Sequence, residues 1–276
     1  MFTLNCKGRL IKIEEPVVMG ILNTTPDSFH AASRTKSIDD AVEKAKQMLD
    51  AGATILDIGA QSTRPGSENV GTETELVRII PVIEAISKSI PQAIISVDTF
   101  IASVAKAAVM AGASIVNDIS GGLFDENMLT TVAEIKTPFV CMHVRGNANN
   151  MHHQIMPTSN CTLEVLDFFI ERIAACNKAG IHDIILDPGF GFGKTMDENF
   201  QLLKNLQIFT QLKKPILLGI SRKSMIYKTL NVTAENALNG STVLHTLGLL
   251  NGASILRVHD VKEAREAIIL TQQLKK

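Results

Sequence analysis

The chain has 276 residues, of which 45% are hydrophobic and 20% charged, and its formal net charge is −1. This near-neutral balance argues against general binding to nucleic acid or to a membrane surface through bulk charge. No apolar run approaches the ~20 residues of a membrane helix, and the N-terminus lacks a signal-peptide core. Because the four cysteines are scattered and suit a reducing compartment, we expect a cytoplasmic protein.

Short apolar runs alternate along the chain with longer amphipathic stretches, which predicts strands alternating with helices. The eight runs are VVMGILN (17–23), TILDIGA (54–60), IISVDTF (94–100), SIVNDIS (114–120), FVCMHV (139–144), DIILDPG (183–189), ILLGIS (216–221) and SILRVHD (254–260). Runs this apolar are typical of parallel strands that are buried on both faces of a sheet.

The residues that lead into these runs form a repeat. The odd-numbered runs follow a proline, at Pro16, Pro91, Pro138 and Pro215, and the even-numbered runs follow a glycine, at Gly52, Gly112, Gly180 and Gly252. Glycine suits the left-handed position after a helix, and proline stops a helix before a strand. A βαβα unit repeated four times predicts an α/β fold, a (β/α)8 TIM barrel forming a single domain over residues 1–276, in preference to an open doubly wound sheet.

The active site of such a barrel lies at the carboxyl ends of its strands. The residues there are Asn23, Gln61, Thr63, Arg64, Asp98, Asn117, Met142, His143, Asp187, Lys223, Arg257 and His259. Burying so many polar groups at one mouth is costly unless a ligand or a network satisfies them.

Two chemistries can be distinguished among these residues. Asp98, Asn117 and Asp187 could pair with the donors and acceptors of a flat nitrogen heterocycle, since a carboxylate matches two adjacent N–H groups. The cationic and neutral donors Arg64, Arg257 and His259 suit a diphosphate instead. Asn23 is a credible Mg²⁺ ligand beside it, because Mg²⁺ takes few protein ligands.

Other polar residues have plainer interpretations. Asp57, inside the second strand, could as well be structural, and His245 is most simply a packed or exposed helical histidine. His152 and His153 lie in a loop without a partner at metal-ligand spacing, so we expect them to be solvated.

The stretch ILDPGFGFGKT (185–195) is similar to a nucleotide-binding loop without being one. Pro188 occupies the place of the first Walker glycine, and Lys194 stands where a dinucleotide fingerprint needs its last glycine. We interpret the stretch as the turn after the sixth barrel strand, whose glycines let the backbone approach a flat ring. Phe192 is expected to cover a ligand, as is Phe29 in the first loop, and Lys194 is expected to be solvated.

At these residues the chain resembles the dihydropteroate synthase family of pterin-binding barrels. The motifs that carry the resemblance are MGILNTTPDSF (19–29), GAQSTRPGS (59–67), SVDT (96–99), NDISGG (117–122), MHVRGN (142–147), LDPGFGFGKT (186–195), GISRKSMI (219–226) and RVHDVKE (257–263). They fall at nearly every predicted strand end and cover essentially the whole chain.

The resemblance implies a transferase of folate biosynthesis, in which p-aminobenzoate displaces diphosphate from a dihydropterin methyl diphosphate. It also implies Mg²⁺, a homodimer and membership of a family that sulfonamides target. By motif, the pterin would be held by Asp98, Asn117, Asp187 and Lys223; diphosphate and metal by Asn23, Arg257 and His259; and the aminobenzoate by Phe29, Thr63, Arg64, Pro65, Phe192 and Ser224. Met142 and Gly219 complete the predicted substrate-binding set, and a carboxylate at Ser224 would meet backbone N–H groups of a starting helix. The residues expected to act in catalysis are Asp98, Asp187, Lys223, Arg257 and His259.

The chain departs from the family pattern at three places. His30-Ala31-Ala32-Ser33 replaces Ser-Asp-Gly-Gly, Gln61 replaces a glutamate, and Arg145 stands where glutamine is common. The first two changes remove a carboxylate each, and they support one alternative, a pterin-binding paralogue with impaired turnover. A second alternative is a methyltetrahydrofolate-binding methyltransferase, which would lack the STRPG loop and the SRKS anion site that are present here.

Overall fold

A computed structural model describes residues 1–24, 34–60, 71–147 and 157–274. Several predicted residues lie outside these ranges, namely Phe29, Gln61, Thr63, Arg64, Pro65, His152, His153 and the departure at 30–33. Within the described part of the chain, no helix combines the length and the apolar character that spanning a membrane requires.

The described ranges contain ten strands and nine α-helices, which alternate after the first two strands. The strands are β1 Phe2–Cys6, β2 Arg9–Ile13, β3 Val17–Asn23, β4 Ile55–Gly59, β5 Ile94–Asp98, β6 Ile115–Asp118, β7 Phe139–Met142, β8 Ile184–Asp187, β9 Leu217–Leu218 and β10 Ile255–Val258. The helices are α1 Arg34–Asp50, α2 Thr72–Ser89, α3 Ala102–Ala111, α4 Met128–Ile135, α5 Cys161–Ala179, α6 Met196–Lys204, α7 Ser224–Tyr227, α8 Leu238–Leu250 and α9 Val261–Gln273, with a 3-10 helix at Leu206–Leu212.

The eight strands from β3 to β10 form one parallel sheet in the order β8-β7-β6-β5-β4-β3-β10-β9. An isolated parallel bridge between Leu186 and Ile216 joins the two ends of this row. The predicted (β/α)8 barrel is therefore confirmed, and each predicted apolar run contains one of its strands. Two glycines of the repeat, Gly112 and Gly180, directly follow α3 and α5 and have positive φ, 130° and 95°. This is the helix-ending position that the sequence predicted for them.

The N-terminal strands β1 and β2 form an antiparallel hairpin that the sequence analysis did not predict. Its turn, at Lys7 and Gly8, has positive φ at both residues. Alternate side chains of the hairpin, among them Leu4 and Ile11, are buried against the apolar residues at the amino-terminal end of the barrel. The hairpin therefore closes the end of the barrel that is opposite the strand carboxyl ends.

Four alternate strands of the barrel carry the same arrangement of side chains. Their tripeptides are Ile55-Leu56-Asp57 in β4, Ile115-Val116-Asn117 in β6, Ile185-Leu186-Asp187 in β8 and Ile255-Leu256-Arg257 in β10. The four isoleucines belong to the buried cluster inside the barrel, and the middle residues belong to the cluster beneath the helices. Because side chains alternate along a strand, each polar third residue shares the interior face with its isoleucine, one layer nearer the carboxyl end. We call these two sets the isoleucine layer and the polar layer.

Candidate active site at the barrel mouth

Three members of the polar layer, together with Asp98 at the end of β5, are joined by charged hydrogen bonds that cross the barrel interior. Arg257 donates from Nε to Asp57 Oδ2 at 2.6 Å and from Nη2 to Asp98 Oδ2 at 2.6 Å. Asn117 donates from Nδ2 to both carboxylate oxygens of Asp57, at 3.1 and 3.3 Å. Four strands thus contribute to one network, and three of its members were predicted site residues.

Burial perturbs the charges of this network. Burial raises the pKa of Asp98 to about 7, although the nearby Arg257 lowers it. Burial likewise raises the pKa of Asp187, against the opposing effect of Lys223. For Arg257, burial disfavours the charged form, but the attraction of Asp57 and Asp98 outweighs it and raises its pKa. Shifts of this kind concentrate at functional sites, because they follow from several ionisable groups sharing a water-poor cleft.

Lys223 lies directly before α7 and reaches the same mouth. Its Nζ donates to the backbone oxygen of Phe190 and lies 4.7 Å from the centre of the Phe192 ring. Burial lowers the pKa of Lys223 to about 8, with Asp187 acting in the opposite direction. The structure therefore places Lys223 beside Asp187 and Phe192.

The glycine-rich loop after β8 folds around the buried ammonium group of Lys194. The Lys194 Nζ donates to the backbone oxygens of Gly189 at 2.7 Å, His143 at 3.3 Å and Phe192 at 3.4 Å, and the residue is only 4% exposed. The prediction that Lys194 is solvated was wrong. Positive φ at the loop glycines turns the chain back on itself, so carbonyl oxygens face the ammonium group. Burial lowers the pKa of Lys194 to about 7.

An apolar cluster adjoins this loop. Phe192 packs with Met142, Ile119 and Val144, and Phe100 borders the same cluster. Two predicted substrate-binding residues, Phe192 and Met142, are thus brought together as an apolar wall.

Three more predicted residues lie around the mouth of the barrel, Gly219, Ser224 and His259. A Cβ on Gly219 would lie 3.6 Å from Asp187 Oδ2, so this glycine is a neighbour of the carboxylate. Ser224 begins α7, directly after Lys223. His259 follows β10, and its Nδ1 lies 3.1 Å from the Ser221 hydroxyl.

Asn23 ends β3 and is half-buried. It lines a hollow of about 140 Å³ together with Thr24, Asp40 and Lys44 among others. Across the described ranges, no group of three or more His, Cys, Asp or Glu side chains is arranged to hold a metal ion. Among the described residues, the Asn23 amide oxygen fits Mg²⁺ as a single protein ligand, which this ion accepts beside water and substrate oxygens.

Arg145, one of the departures from the family pattern, is buried in an ion-pair network behind the loop. It contacts Glu164 at 2.7 Å and Glu198 at 2.9 Å, and it donates to the backbone oxygen of Gly193 at 3.3 Å. His143 joins the network, with Nε2 3.4 Å from Glu164 Oε1. Burial lowers the pKa of His143 to about 4, so the imidazole is neutral at pH 7. The network ties the segment after β7 to the glycine-rich loop.

Asp57 is the member of the site that the sequence analysis left undecided. Its side chain is 0% exposed and bonds to two predicted site residues, Asn117 and Arg257. The signal was present in the repeat, since the other three Ile-Leu/Val-polar tripeptides end in residues that were already candidates. His245, on α8, is 2% exposed and is therefore a packed helical histidine.

Comparisons with known proteins agree over nearly the whole chain. A family model described as "Pterin binding enzyme" matches residues 19–259. The chain is 44% identical over 267 residues to the dihydropteroate synthase of Escherichia coli strain K12, covering 96% of this chain and 94% of that one. The structure of Xanthomonas albilineans dihydropteroate synthase with 4-aminobenzoic acid superposes with a TM-score of 0.90 at 38% identity, covering 99% and 98% of the two chains. The Yersinia pestis dihydropteroate synthase in a sulfonamide drug complex also gives 0.90 at 38% identity, covering 99% of each chain.

Proposed function

The chain belongs to the pterin-binding enzyme family, and from this premise we propose how its barrel mouth performs the dihydropteroate synthase reaction. In this reaction p-aminobenzoate displaces diphosphate from (7,8-dihydropterin-6-yl)methyl diphosphate, giving 7,8-dihydropteroate for folate biosynthesis. The enzyme is a transferase. The observation that carries the assignment to this site is the polar layer, because it brings carboxylate, amide and guanidinium groups from separate strands into one water-poor mouth.

The pterin is held by the acceptors of the polar layer. Asp187 offers a carboxylate that pairs with two adjacent N–H groups of the ring, and Asn117 and Asp98 offer further acceptors nearby. Lys223 adds a donor on the same side as Asp187, which suits a ring oxygen or nitrogen. The isoleucine layer below provides an apolar surface beneath the polar groups.

The chemical step is dissociative. The bond between the methylene carbon and the diphosphate oxygen breaks, and its electron pair leaves with the diphosphate. The cation that remains is delocalised into the electron-rich pterin, where Asp98 and Asp187 stabilise it electrostatically. The aromatic amine of the second substrate is neutral at pH 7, so its lone pair forms the new bond without a general base. The proton that the amine loses passes to solvent.

The diphosphate is bound by the cationic side of the mouth. Arg257 already pairs with two carboxylates through Nε and Nη2, so contact with diphosphate falls to the remaining N–H groups on its two terminal nitrogens. His259, positioned by Ser221, is the second donor. Mg²⁺, with Asn23 as its protein ligand, would neutralise charge on the leaving group when it is bound.

The p-aminobenzoate takes the apolar wall formed by Phe192 and Met142, with its carboxylate near Ser224. Phe29, Thr63, Arg64 and Pro65, which the motifs assign to the same substrate, lie outside the described residues. The 4-aminobenzoic acid in the Xanthomonas albilineans relative and the sulfonamide in the Yersinia pestis relative support this assignment. They also support the proposal that this enzyme is a sulfonamide target.

We further propose that the enzyme is a cytoplasmic homodimer. Side chains on the outer face of α8 support the dimer, since Val243, Leu247 and Leu250 are each about half exposed although apolar. The four free and buried cysteines support a reducing compartment.

The proposal is tested by incubating the purified protein with the pterin diphosphate, p-aminobenzoate and Mg²⁺, and by following diphosphate release and pteroate formation together. We expect both products in equal amounts. When p-aminobenzoate is left out, we expect no pteroate and a slower release of diphosphate. Tight binding of the pterin diphosphate without release would show a binding paralogue instead. Methyl transfer from methyltetrahydrofolate under the same conditions would show a methyltransferase.

A further inference from the structure

Asp57 occupies the centre of the polar layer although no reacting group need touch it. Its side chain is 0% exposed, and its hydrogen-bond partners lie on β6 and β10. Each of these strands is two places away from β4 in the barrel, on opposite sides. The carboxylate therefore bridges the interior of the barrel and connects two residues that would otherwise be independent.

The bridge determines the orientation of the Asn117 side chain. Both Asp57 oxygens accept from the same nitrogen, Asn117 Nδ2, at 3.1 and 3.3 Å. An amide has one donor group and one acceptor oxygen, and a carboxylate can only accept. The flipped amide would set its oxygen against the Asp57 carboxylate, so the orientation with Nδ2 toward Asp57 is strongly favoured. The carbonyl oxygen of Asn117 is consequently turned away from Asp57.

The same carboxylate restrains Arg257. Its Nε bonds to Asp57 and its Nη2 to Asp98, each at 2.6 Å, so two carboxylates fix two edges of the planar guanidinium group. Asp57 Oδ2 accepts from both Arg257 and Asn117, which couples the two orientations. Moving one partner would disturb the other.

We propose that Asp57 is a positioning residue that sets the heterocycle specificity of the mouth, because it makes Asn117 present an acceptor rather than a donor to the bound ring. This inference rests on the proposed function and deepens it. With Asn117 so oriented, the ring faces acceptors from Asn117, Asp98 and Asp187. The site then selects a fused nitrogen heterocycle whose facing edge carries N–H donors, and it rejects one whose facing edge carries oxygen acceptors.

The test compares two ligands in two proteins. The ligands are 6-hydroxymethyl-7,8-dihydropterin and its 2-oxo analogue, which replaces the exocyclic amino donor by a carbonyl acceptor. We expect the wild-type protein to prefer the amino compound by about 100-fold or more, since a site built for a donor leaves buried groups unpaired with the analogue. In Asp57→Asn, which has nearly the same shape, the Asn117 amide loses its fixed orientation. The ratio of dissociation constants, measured by calorimetry, should then fall at least about 10-fold.

The ratio separates positioning from a general structural effect. A variant that only loosens the fold weakens both ligands alike and leaves the ratio unchanged, and that result for Asp57→Asn would overturn the proposal. Asp118→Asn is the matched control. Asp118 is equally buried, but its carboxylate binds Ser120 and Gly122 behind the strand end, so its loss should lower stability without changing the ratio.

A measurement on the wild-type protein keeps the proposal open to refutation if Asp57→Asn does not fold. The Asn117 side-chain NH₂ signals in a ¹H–¹⁵N spectrum should show slow hydrogen exchange, as expected of protons that are bonded to a buried carboxylate. Rapid exchange of both protons would contradict the inferred orientation. Neither readout needs turnover, so a failure of diphosphate release in the wild-type protein would count against the proposed function alone.

Discussion

Gly189 lies against the backbone of His143 so closely that a Cβ at position 189 would meet the His143 carbonyl oxygen at 1.9 Å. Its φ is +68°, which L side chains rarely adopt. Gly191 also has a positive φ, +96°, but a Cβ there would meet only Lys223 Cδ, at 3.8 Å. Position 189 therefore requires glycine for two reasons, the close approach of His143 and the positive φ. Position 191 requires glycine only because of its positive φ.

Alanine substitutions at these glycines should differ in cost. For Gly189→Ala we expect a loss of more than about 3 kcal/mol in the free energy of unfolding, because the backbone of the loop must shift. For Gly191→Ala we expect a loss of about 1–2 kcal/mol from dihedral strain. Urea denaturation of the two variants measures the difference. Equal losses would show that the close approach to His143 is not maintained in solution.

Asp98 should control the acidic side of the pH–rate profile. Burial raises its pKa to about 7, so the carboxylate gains a proton as the pH falls below that value. Protonation removes the negative charge that faces Arg257 and the cationic pterin, and kcat/KM should decrease toward low pH. In Asp98→Asn we expect this limb to disappear and the plateau to fall about 100-fold or more.

The control for that variant is Asp183→Asn, at the opposite end of the barrel. Asp183 accepts a hydrogen bond from the backbone N–H of Asn5 in the hairpin, so its replacement leaves the mouth untouched. We expect its pH profile to match that of the wild-type enzyme. An Asp98→Asn enzyme with near wild-type kinetics would rule out the electrostatic role given to this carboxylate.

Lys194 should make stability depend on pH in the alkaline range. Burial lowers its pKa to about 7 from 10.5, so between these values the unfolded chain binds more protons than the folded one. Stability conferred by this residue therefore rises with pH from about 7 upward. Relative to Lys194→Met, the free energy of unfolding of the wild-type protein should increase between pH 7 and pH 9. The exposed Lys204→Met variant should show a constant difference over the same range.

Arg145→Gln tests the ion-pair network at a position where glutamine is common in the family. Breaking a buried pair costs about 3–5 kcal/mol, and the value here should be nearer 2–3 because Glu164 is one-third exposed. Lys106→Gln, which breaks an exposed pair with Glu134, should cost under about 0.5 kcal/mol. The midpoints of thermal or urea unfolding give both values. A loss for Arg145→Gln as small as that for Lys106→Gln would mean that the network is not formed.

Leu247→Lys should dissociate the proposed homodimer, because it puts a charge into the apolar face of α8. Sedimentation velocity should show monomers for this variant at concentrations where the wild-type protein is dimeric. Leu163→Lys is the control, since Leu163 is similarly exposed but lies in the first turn of another helix, α5. A wild-type protein that sediments as a monomer would contradict the proposal directly.

The barrel was predictable because its evidence is local and repeated. Gly112 and Gly180 mark helix ends by a dihedral angle that other residues avoid, and the apolar runs after them leave few alternatives to buried parallel strands. Once the barrel was predicted, its strand-end residues could be placed together, because the carboxyl ends of parallel strands meet at one mouth. These residues are Asp98, Asn117, Asp187 and Arg257.

The remaining features depend on contacts between distant segments. Lys194 is buried because the glycine loop closes around it, and its sequence neighbours, Gly193 and Thr195, are equally compatible with a solvated lysine. Asp57 gains its role from Arg257, 200 residues away in sequence. The hairpin of β1 and β2 did leave a local signal in the sequence, since apolar and polar residues alternate along Phe2–Cys6, in a stretch shorter than most of the barrel strand runs.

In each tripeptide that contributes to the isoleucine layer and the polar layer, different residues serve the fold and the site. The first two residues pack inside and outside the barrel wall, and the third lies at the mouth, where it contributes to neither of these apolar clusters. Evolution or redesign can therefore alter the mouth at position 187 without repacking the wall. Positions 117 and 257 are both hydrogen-bonded to Asp57, so a change at any one of these three requires a matching change at its partners.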